Sequence, residues 1–198
     1  TTMTFSIVYG ALYRGLPFED ADRLIHIERS NLAAGIESME TPIHDFADWR
    51  SEQRSFQDLA AFYSGTVNIS GDERPERYDG AFITPSAFPM LGVAPTLGRT
   101  FTEEDADPAA PMVVLIGEQV WETQFNGDAD VVGRAVRVNG QPATVIGVLP
   151  ERFQFPIRQE VWVPLRIRPG DVPRGEGQTL EVFGRLRDGV NEEQAALE

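Results

Sequence analysis

The 198-residue chain contains no cysteine and no lysine. Without thiols there is no disulfide, no thiol nucleophile and no thiolate metal site, and composition says nothing of the redox compartment. Without lysine, all seventeen basic residues are arginine. Arginine's planar fork binds carboxylate or phosphate bidentately, but these arginines are spread along the whole chain, so the bias reads as genomic. Positive charge is scarce: the net charge is −14 and the pI is near 4.5. That argues against nucleic-acid binding, which needs clustered positive charge to displace counterions. An acidic surface attracts cations or basic partners, and its plain reading is solubility. Also missing are a Walker-type phosphate loop, a G-x-S-x-G elbow, tandem repeats and low-complexity tracts.

What is present is globular. An apolar share of 41% with 24% charged residues is that of a folded domain, not a disordered one. The length suits one domain or two small lobes around a real core. Residues 1–13 (TTMTFSIVYGALY) carry no charge. As a helix they would span only about 20 Å, too short to cross a bilayer, and no basic n-region or cleavage site marks a signal peptide. They suit either the tail of a membrane helix or a short apolar helix or strand of a soluble core. The other end, Asn191–Glu198, begins with a capping Asn and acids in its first turn, then stops after two turns without a C-cap. Both ends are expected to be truncated.

The clearest local signal is Pro111–Pro150. It predicts a buried strand at Met112–Ile116, a helix at Glu118–Phe125, a polar turn at Asn126–Asp130, and a β-hairpin. In the hairpin Val136 and Val138 alternate with polar residues, Asn139-Gly140 supplies a type I′ turn, and Thr144–Val148 runs back. Upstream, Leu24–Ile27 predicts a short strand. Thr41-Pro42 opens a helix, with Thr as cap and Pro first, whose Ile43, Phe46, Ala47 and Trp49 form an imperfect apolar stripe. Phe56, Leu59, Ala60 and Phe62 suit a helical turn or a strand. Thr66–Ser70 and Arg77–Ile83 read as strands joined by the turn Gly71–Pro75, and a short helix from Pro85-Ser86 ends at Gly92. A lobe boundary is expected near Gly98, before the acidic loop Thr102–Asp107. Val161–Leu165 is a last short strand of the inserted lobe. The Gly- and Pro-rich loop Arg168–Gln178 marks a second boundary, before the strand Thr179–Arg187.

No segment carries a recognisable catalytic set. His44 and Asp48 share a helix face beside Asp45, but zinc needs three or four ligands, and the only other histidine is His26 on a strand. Asn126, Asp128 and Asp130 imitate the start of a calcium loop, yet Val131 stands where Gly is needed and Arg137 where Glu is needed. The acids Glu103–Asp107 read as a solvated loop. A carboxylate pair for glycoside chemistry is not marked out among the 31 acidic residues. Trp49, Trp121 and Trp162 suit core packing better than a ligand cleft. No catalytic, cofactor-binding or metal residue is therefore assigned.

The ordered series of segments resembles the periplasmic core domain of MacB-like ABC transporter permeases, within the wider FtsX-like group. Pro111–Pro150 carries the resemblance, with Ser55–Ala106, Val161–Leu165 and Val182–Glu198 around it; Phe5–Asn31 looks like the end of a first membrane helix leading into the first ectodomain strand. The resemblance covers nearly the whole chain and is closest to large permeases duplicated in some environmental bacteria. It implies an α+β fold, a porter-like βαβ lobe interrupted by an inserted β-rich, sabre-like lobe. Residues 1–13 would end a transmembrane helix, 14–97 would form the first part of the porter-like lobe, 98–177 the inserted lobe, and 178–198 the start of a second porter-like unit. It further implies a non-enzymatic domain on the periplasmic side of the bacterial inner membrane. That domain would transmit motion from a cytoplasmic ATPase, in a permease homodimer, with a periplasmic adaptor as a further partner. The residues also leave open a periplasmic glycan- or peptide-binding domain and, more weakly, a secreted hydrolase using a carboxylate pair.

Overall fold

The structure, a computed structural model, describes residues 4–8, 21–31, 35–71 and 75–197. Strands β1 (Thr4–Val8), β2 (Leu24–Asn31), β3 (Ile36–Met39) and β4 (Thr41–Pro42) lead into helix α1 (Ile43–Glu52). Next come β5 (Phe56–Ser70), β6 (Glu76–Ile83), α2 (Ala87–Leu91), β7 (Leu97–Gly98), β8 (Met112–Gly117) and α3 (Glu118–Phe125). They are followed by β9 (Ala135–Val138), β10 (Gln141–Leu149), β11 (Val161–Pro164), β12 (Thr179–Leu186) and α4 (Glu192–Ala195). The fold is α+β, strand-dominated with few short helices. Its contacts divide the chain into two compact units, Thr1–Phe62 with Ile167–Glu198, and Tyr63–Arg166. Contacts do not break near Gly98, because Leu97 and Gly98 are hydrogen-bonded into β10.

In the first unit the strand order is β1-β2-β12-β5, and each neighbouring pair is antiparallel. Period-2 alternation puts Ile27 and Leu59 on one face and His26 and Phe183 on the other. Helix α1 packs against β12 and β4, burying Ile43 and Phe46 while Ala47 and Trp49 stay half-buried. Thr41 is not the helix cap. Thr41 and Pro42 pair with Leu180 and Thr179, so their backbone serves the ladder and the helix starts at Ile43. Phe56–Phe62 is strand rather than helical turn, because β12 pairs along it. At the far end Asn191 does cap α4, its Oδ1 accepting from Gln194 N at 2.9 Å.

Residues Thr4–Val8 correct the helix implied for 1–13. They form a strand paired with Ser30–His26 of β2, and a segment rich in β-branched and aromatic residues (Thr4, Phe5, Ile7, Val8) suits that pleated pairing. Residues 1–3 and 9–13 lie outside the described residues. Among the described residues no helix is long and apolar enough to cross a membrane.

The second unit closes on itself. The order β5-β6-β11-β8-β10 is completed by β9, which pairs with β10 and also with β5 through Ile69 and Ser70. A closed ladder has no open edge there, and inward residues must fill its interior. Here Val67, Ile69, Val114, Ile116, Val136, Val138, Val145 and Val163 do so, with Val120 and Phe125 of α3 packed in. The hairpin forms as the sequence predicts, with Asn139 at φ 50° and Gly140 at φ 82°. Asn139 Oδ1 accepts from Asn68 N at 2.9 Å, which fixes the turn to β5. The opposite sheet face is covered by Phe88 of α2, by Phe101 and by Phe153. Phe88 and Phe101 rings meet edge-on at 5.4 Å, and Phe153 lies 5.3 Å from Trp162.

Candidate functional site

The described residues include two concavities, one in each unit. In the first unit a groove of about 930 Å³ is floored by Ile27, Phe56, Leu59 and Ala195, all buried. Its rim is Trp49 with the turn that ends α1, Ser51 to Ser55. That rim is stiff. Gln53 N–H donates to Trp49 O, Gln53 Oε1 accepts from Phe56 N at 2.9 Å, and Arg50 grips Asp58 through two bonds of 2.9 and 2.8 Å. An apolar floor under a mixed polar rim suits a docked apolar side chain. Among the described residues its lining holds no histidine and one carboxylate, Glu52.

In the second unit a concavity of about 510 Å³ lies where α3 begins, lined by Asp79, Glu118, Glu151 and Glu160 with Arg158. Several of its polar groups hold loops. Glu118 Oε2 accepts from Glu151 N at 2.9 Å, and Gly117 N–H donates to Glu160 O at 2.7 Å. Buried Gln159 accepts from Ile157 N and Arg158 N and donates to Ser64 Oγ. Nearby, Tyr78 donates to Glu76 at 2.7 Å. Burial first, and then the Glu76 carboxylate, push its phenol above the ordinary range.

The side chains singled out for metal chemistry are committed elsewhere. His44 is buried and its Nε2–H donates to Val172 O at 3.0 Å. Asp45, also buried, lies between Arg29 at 3.2 Å and Arg174 at 3.5 Å, and Asp48 accepts from Arg174 at 2.9 Å. A cation there would have to displace two guanidinium groups. His26 meets a different set, Glu28 at 3.2 Å and Glu181 at 4.0 Å. Among the described residues no group of three or more such side chains is placed to hold a metal ion.

The calcium-like stretch is a helix exit. Asn126 takes the left-handed conformation that ends α3, and Asp128 Oδ1 accepts from Asp130 N at 3.0 Å to cap the next 3-10 turn. The acidic loop is not merely solvated. Asp105 is buried and receives both Arg99 nitrogens, at 2.6 and 3.0 Å, together with Thr102 N and Oγ1. Burial alone would raise its carboxyl, but the Arg99 and Thr102 hydrogen bonds outweigh it and hold the group below the ordinary range. Trp162 is a core residue, wholly buried, with Nε1–H donating to Phe155 O at 2.9 Å. Trp121 is half-buried and bonds Asp128 O at 2.7 Å, while Trp49 lines the first groove. Arg29, Arg174, Glu28 and Glu181 become partners through the fold. Only the i, i+2 spacing of His26 and Glu28 on a strand signalled any of them.

Comparison with known proteins adds three findings. The family model for the MacB-like periplasmic core domain matches residues 1–198. The macrolide export ATP-binding/permease protein MacB of Escherichia coli O6:K15:H31 is 30% identical over 173 residues, covering 78% of this chain and 26% of that protein. The chain thus spans about a quarter of the length of this curated relative. Among solved structures, the periplasmic region of MacB from Actinobacillus actinomycetemcomitans superposes with a TM-score of 0.65 at 20% identity, covering 87% of this chain and 78% of that one. The extracellular domain of the noncanonic ABC-type transporter YknZ from Gram-positive bacteria gives 0.60 at 19% identity, with 84% of each chain covered. At these identities the two structures speak for the fold.

Proposed function

The chain belongs to the MacB-like periplasmic core domains, the periplasmic domain type of MacB-like ABC transporter permeases, and from that premise we propose that it transmits ATP-driven motion for export. In this reading a cytoplasmic ATPase, carried on another subunit or segment, closes on ATP. Membrane helices of the whole permease pass the movement to two copies of this domain at the inner membrane. The domain itself performs no bond chemistry. This reading takes 14–97 as the first part of the porter-like lobe, 98–177 as the inserted sabre-like lobe and 178–198 as the start of a second porter-like unit, although the contacts of the chain divide at Tyr63 and Arg166. A periplasmic adaptor is a further partner.

The family match over the whole chain carries the proposal. Its physical support is the use of polar groups. Asp45, Asp105 and Glu118 are spent on arginines and backbone amides that stiffen loops, where a catalytic site would keep such groups poised for substrate. A body that passes force must resist deformation, and interiors packed to crystal-like density have low compressibility.

This chain has no cysteine, so an introduced thiol is unique within it, and any cysteine elsewhere in the transporter is replaced first. Cysteine placed at exposed Val132 or Leu197 in the complete transporter allows two copies to be joined by a cleavable cross-linker. Substrate-stimulated ATP turnover is expected to fall on cross-linking and return on cleavage. Turnover indifferent to cross-links at both positions would count against motion of this domain.

Trp49 over the apolar groove favours a second reading, binding of a peptide or glycan. Saturable quenching of tryptophan fluorescence, lost in Trp49→Phe, would support it.

A further inference from the structure

On the face of the first unit opposite the groove, β2 and β12 bring three titratable side chains together. Their register sets His26 opposite Phe183 and Ile27 opposite Val182, so one further step sets Glu28 opposite Glu181. Two carboxylates directly across an antiparallel pair destabilise it. Between them stands the His26 imidazole, its side chain 8% exposed, against 20% for Glu28 and 45% for Glu181. Nδ1 lies 3.2 Å from Glu28 Oε1, and Nε2 lies 4.0 Å from Glu181 Oε2. The second Glu28 oxygen is buried and accepts no hydrogen bond. By register, the described residues of β1 and β5 add no titrating group on this face, while Arg185 of β12 stands opposite Leu24, the next pair on this face beyond His26. On β1, Ser6 and Val8 stand opposite Glu28 and His26, and on β5, Ala60 and Phe62 stand opposite Phe183 and Glu181. A third acid, Glu40, comes from the link between β3 and β4 and accepts from the Thr179 hydroxyl.

Glu28 Oε1 is within reach of Nδ1, so a proton held on Nδ1 would leave Nε2 as a lone-pair acceptor facing the Glu181 carboxylate 4.0 Å away. Two acceptors then oppose each other across the strand pair. We propose that His26, Glu28 and Glu181 form a proton-operated staple, in which one added proton shared by His26 Nε2 and Glu181 Oε2 turns that opposition into a hydrogen bond tying β2 to β12.

The surroundings favour sharing. Burial, then Glu40 and Glu28, raise the Glu181 carboxyl above its ordinary value. Burial lowers the His26 imidazole, against the opposing pull of Glu28. Interacting groups of this kind titrate as a set. The raised carboxyl and the lowered imidazole bring the two groups towards each other, which favours their sharing one proton. The linkage signs oppose each other. The lowered His26 removes stability as pH falls below the imidazole's ordinary value. The raised Glu181 contributes stability at low pH and loses it as pH rises through its folded value. The two contributions to global stability work against each other, and the proposed effect is a local tightening of β12 on β2. It makes the stiffness of the first unit follow the acidity of its compartment.

The chain has two histidines, so His44 serves as an internal control. In the whole chain, the His26 ring carbon and the Glu181 carboxyl carbon are titrated together by 13C NMR. Hydrogen exchange at Val182 and Phe183 is followed in parallel and corrected for intrinsic pH dependence. The proposal expects one shared midpoint for His26 and Glu181, and several-fold slower exchange below it. Glu181→Gln should shift the His26 midpoint, abolish the exchange step and leave His44 unchanged. Independent midpoints, a His26 titration untouched by Glu181→Gln, or exchange with no step at the midpoint would overturn it.

Discussion

Asp105 shows how one acidic side chain can organise a loop. It accepts from both guanidinium nitrogens of Arg99 and from the amide and hydroxyl of Thr102. Hydrogen bonds to a charged group are worth about 1.5–3 kcal/mol each way of counting, so Asp105→Asn is expected to cost about 2 kcal/mol in urea unfolding at neutral pH. Because the folded carboxyl sits below its ordinary value, its contribution is present above that value, about 3.9, and is lost as pH falls through the folded one. The gap between wild type and Asp105→Asn should therefore shrink in acid. Gly98 makes a second residue-scale case. Its φ is +74°, and an added Cβ would lie 2.1 Å from the Ile146 carbonyl oxygen, a backbone atom that cannot swing aside. Left-handed strain and overpacking together predict that Gly98→Ala loses at least about 2 kcal/mol, read from the same unfolding curves.

Elements defined by short-range rules were legible in the sequence. The β9–β10 hairpin follows from Asn139-Gly140, since two residues at positive φ specify the turn, and α3 ends where Asn126 can turn left-handed. Pairings across long stretches of chain were not legible. Nothing near Asn139 announces that its Oδ1 receives Asn68 N, 71 residues away. Nothing in Thr4–Val8 shows that β2 will supply a partner strand, and without that partner an apolar run reads equally well as a helix end. The candidate sites were less legible still. His44, Asp45 and Asp48 were visible as a cluster, but Arg29 and Arg174, which neutralise the acids, come from β2 and from the loop before β12. The hairpin offers a separable test. Asn139→Gly keeps the turn geometry and removes the bond to Asn68, at about 1 kcal/mol. Asn139→Ala adds left-handed strain of about 1–2 kcal/mol. Thermal unfolding should rank wild type above Asn139→Gly and Asn139→Gly above Asn139→Ala; equal losses would show that the Asn68 bond dominates.

At the scale of the molecule, each unit puts its polar investment into holding its own shape. The second closes its strand ladder around valine and isoleucine. The first fastens the Arg168–Gln178 loop to α1 through Val172 and Arg174. Stiffness within each unit is what the proposed transmission of motion requires. The most direct measurement is the distance between spin labels, one on this domain in each of two copies, in the membrane-embedded transporter with its ATPase. Labels at single introduced cysteines are read without nucleotide, with ATP held unhydrolysed, and after hydrolysis. The inter-copy distance is expected to change with nucleotide state while label pairs within a unit keep theirs. Inter-copy distances that stay fixed through the whole ATP cycle would contradict it.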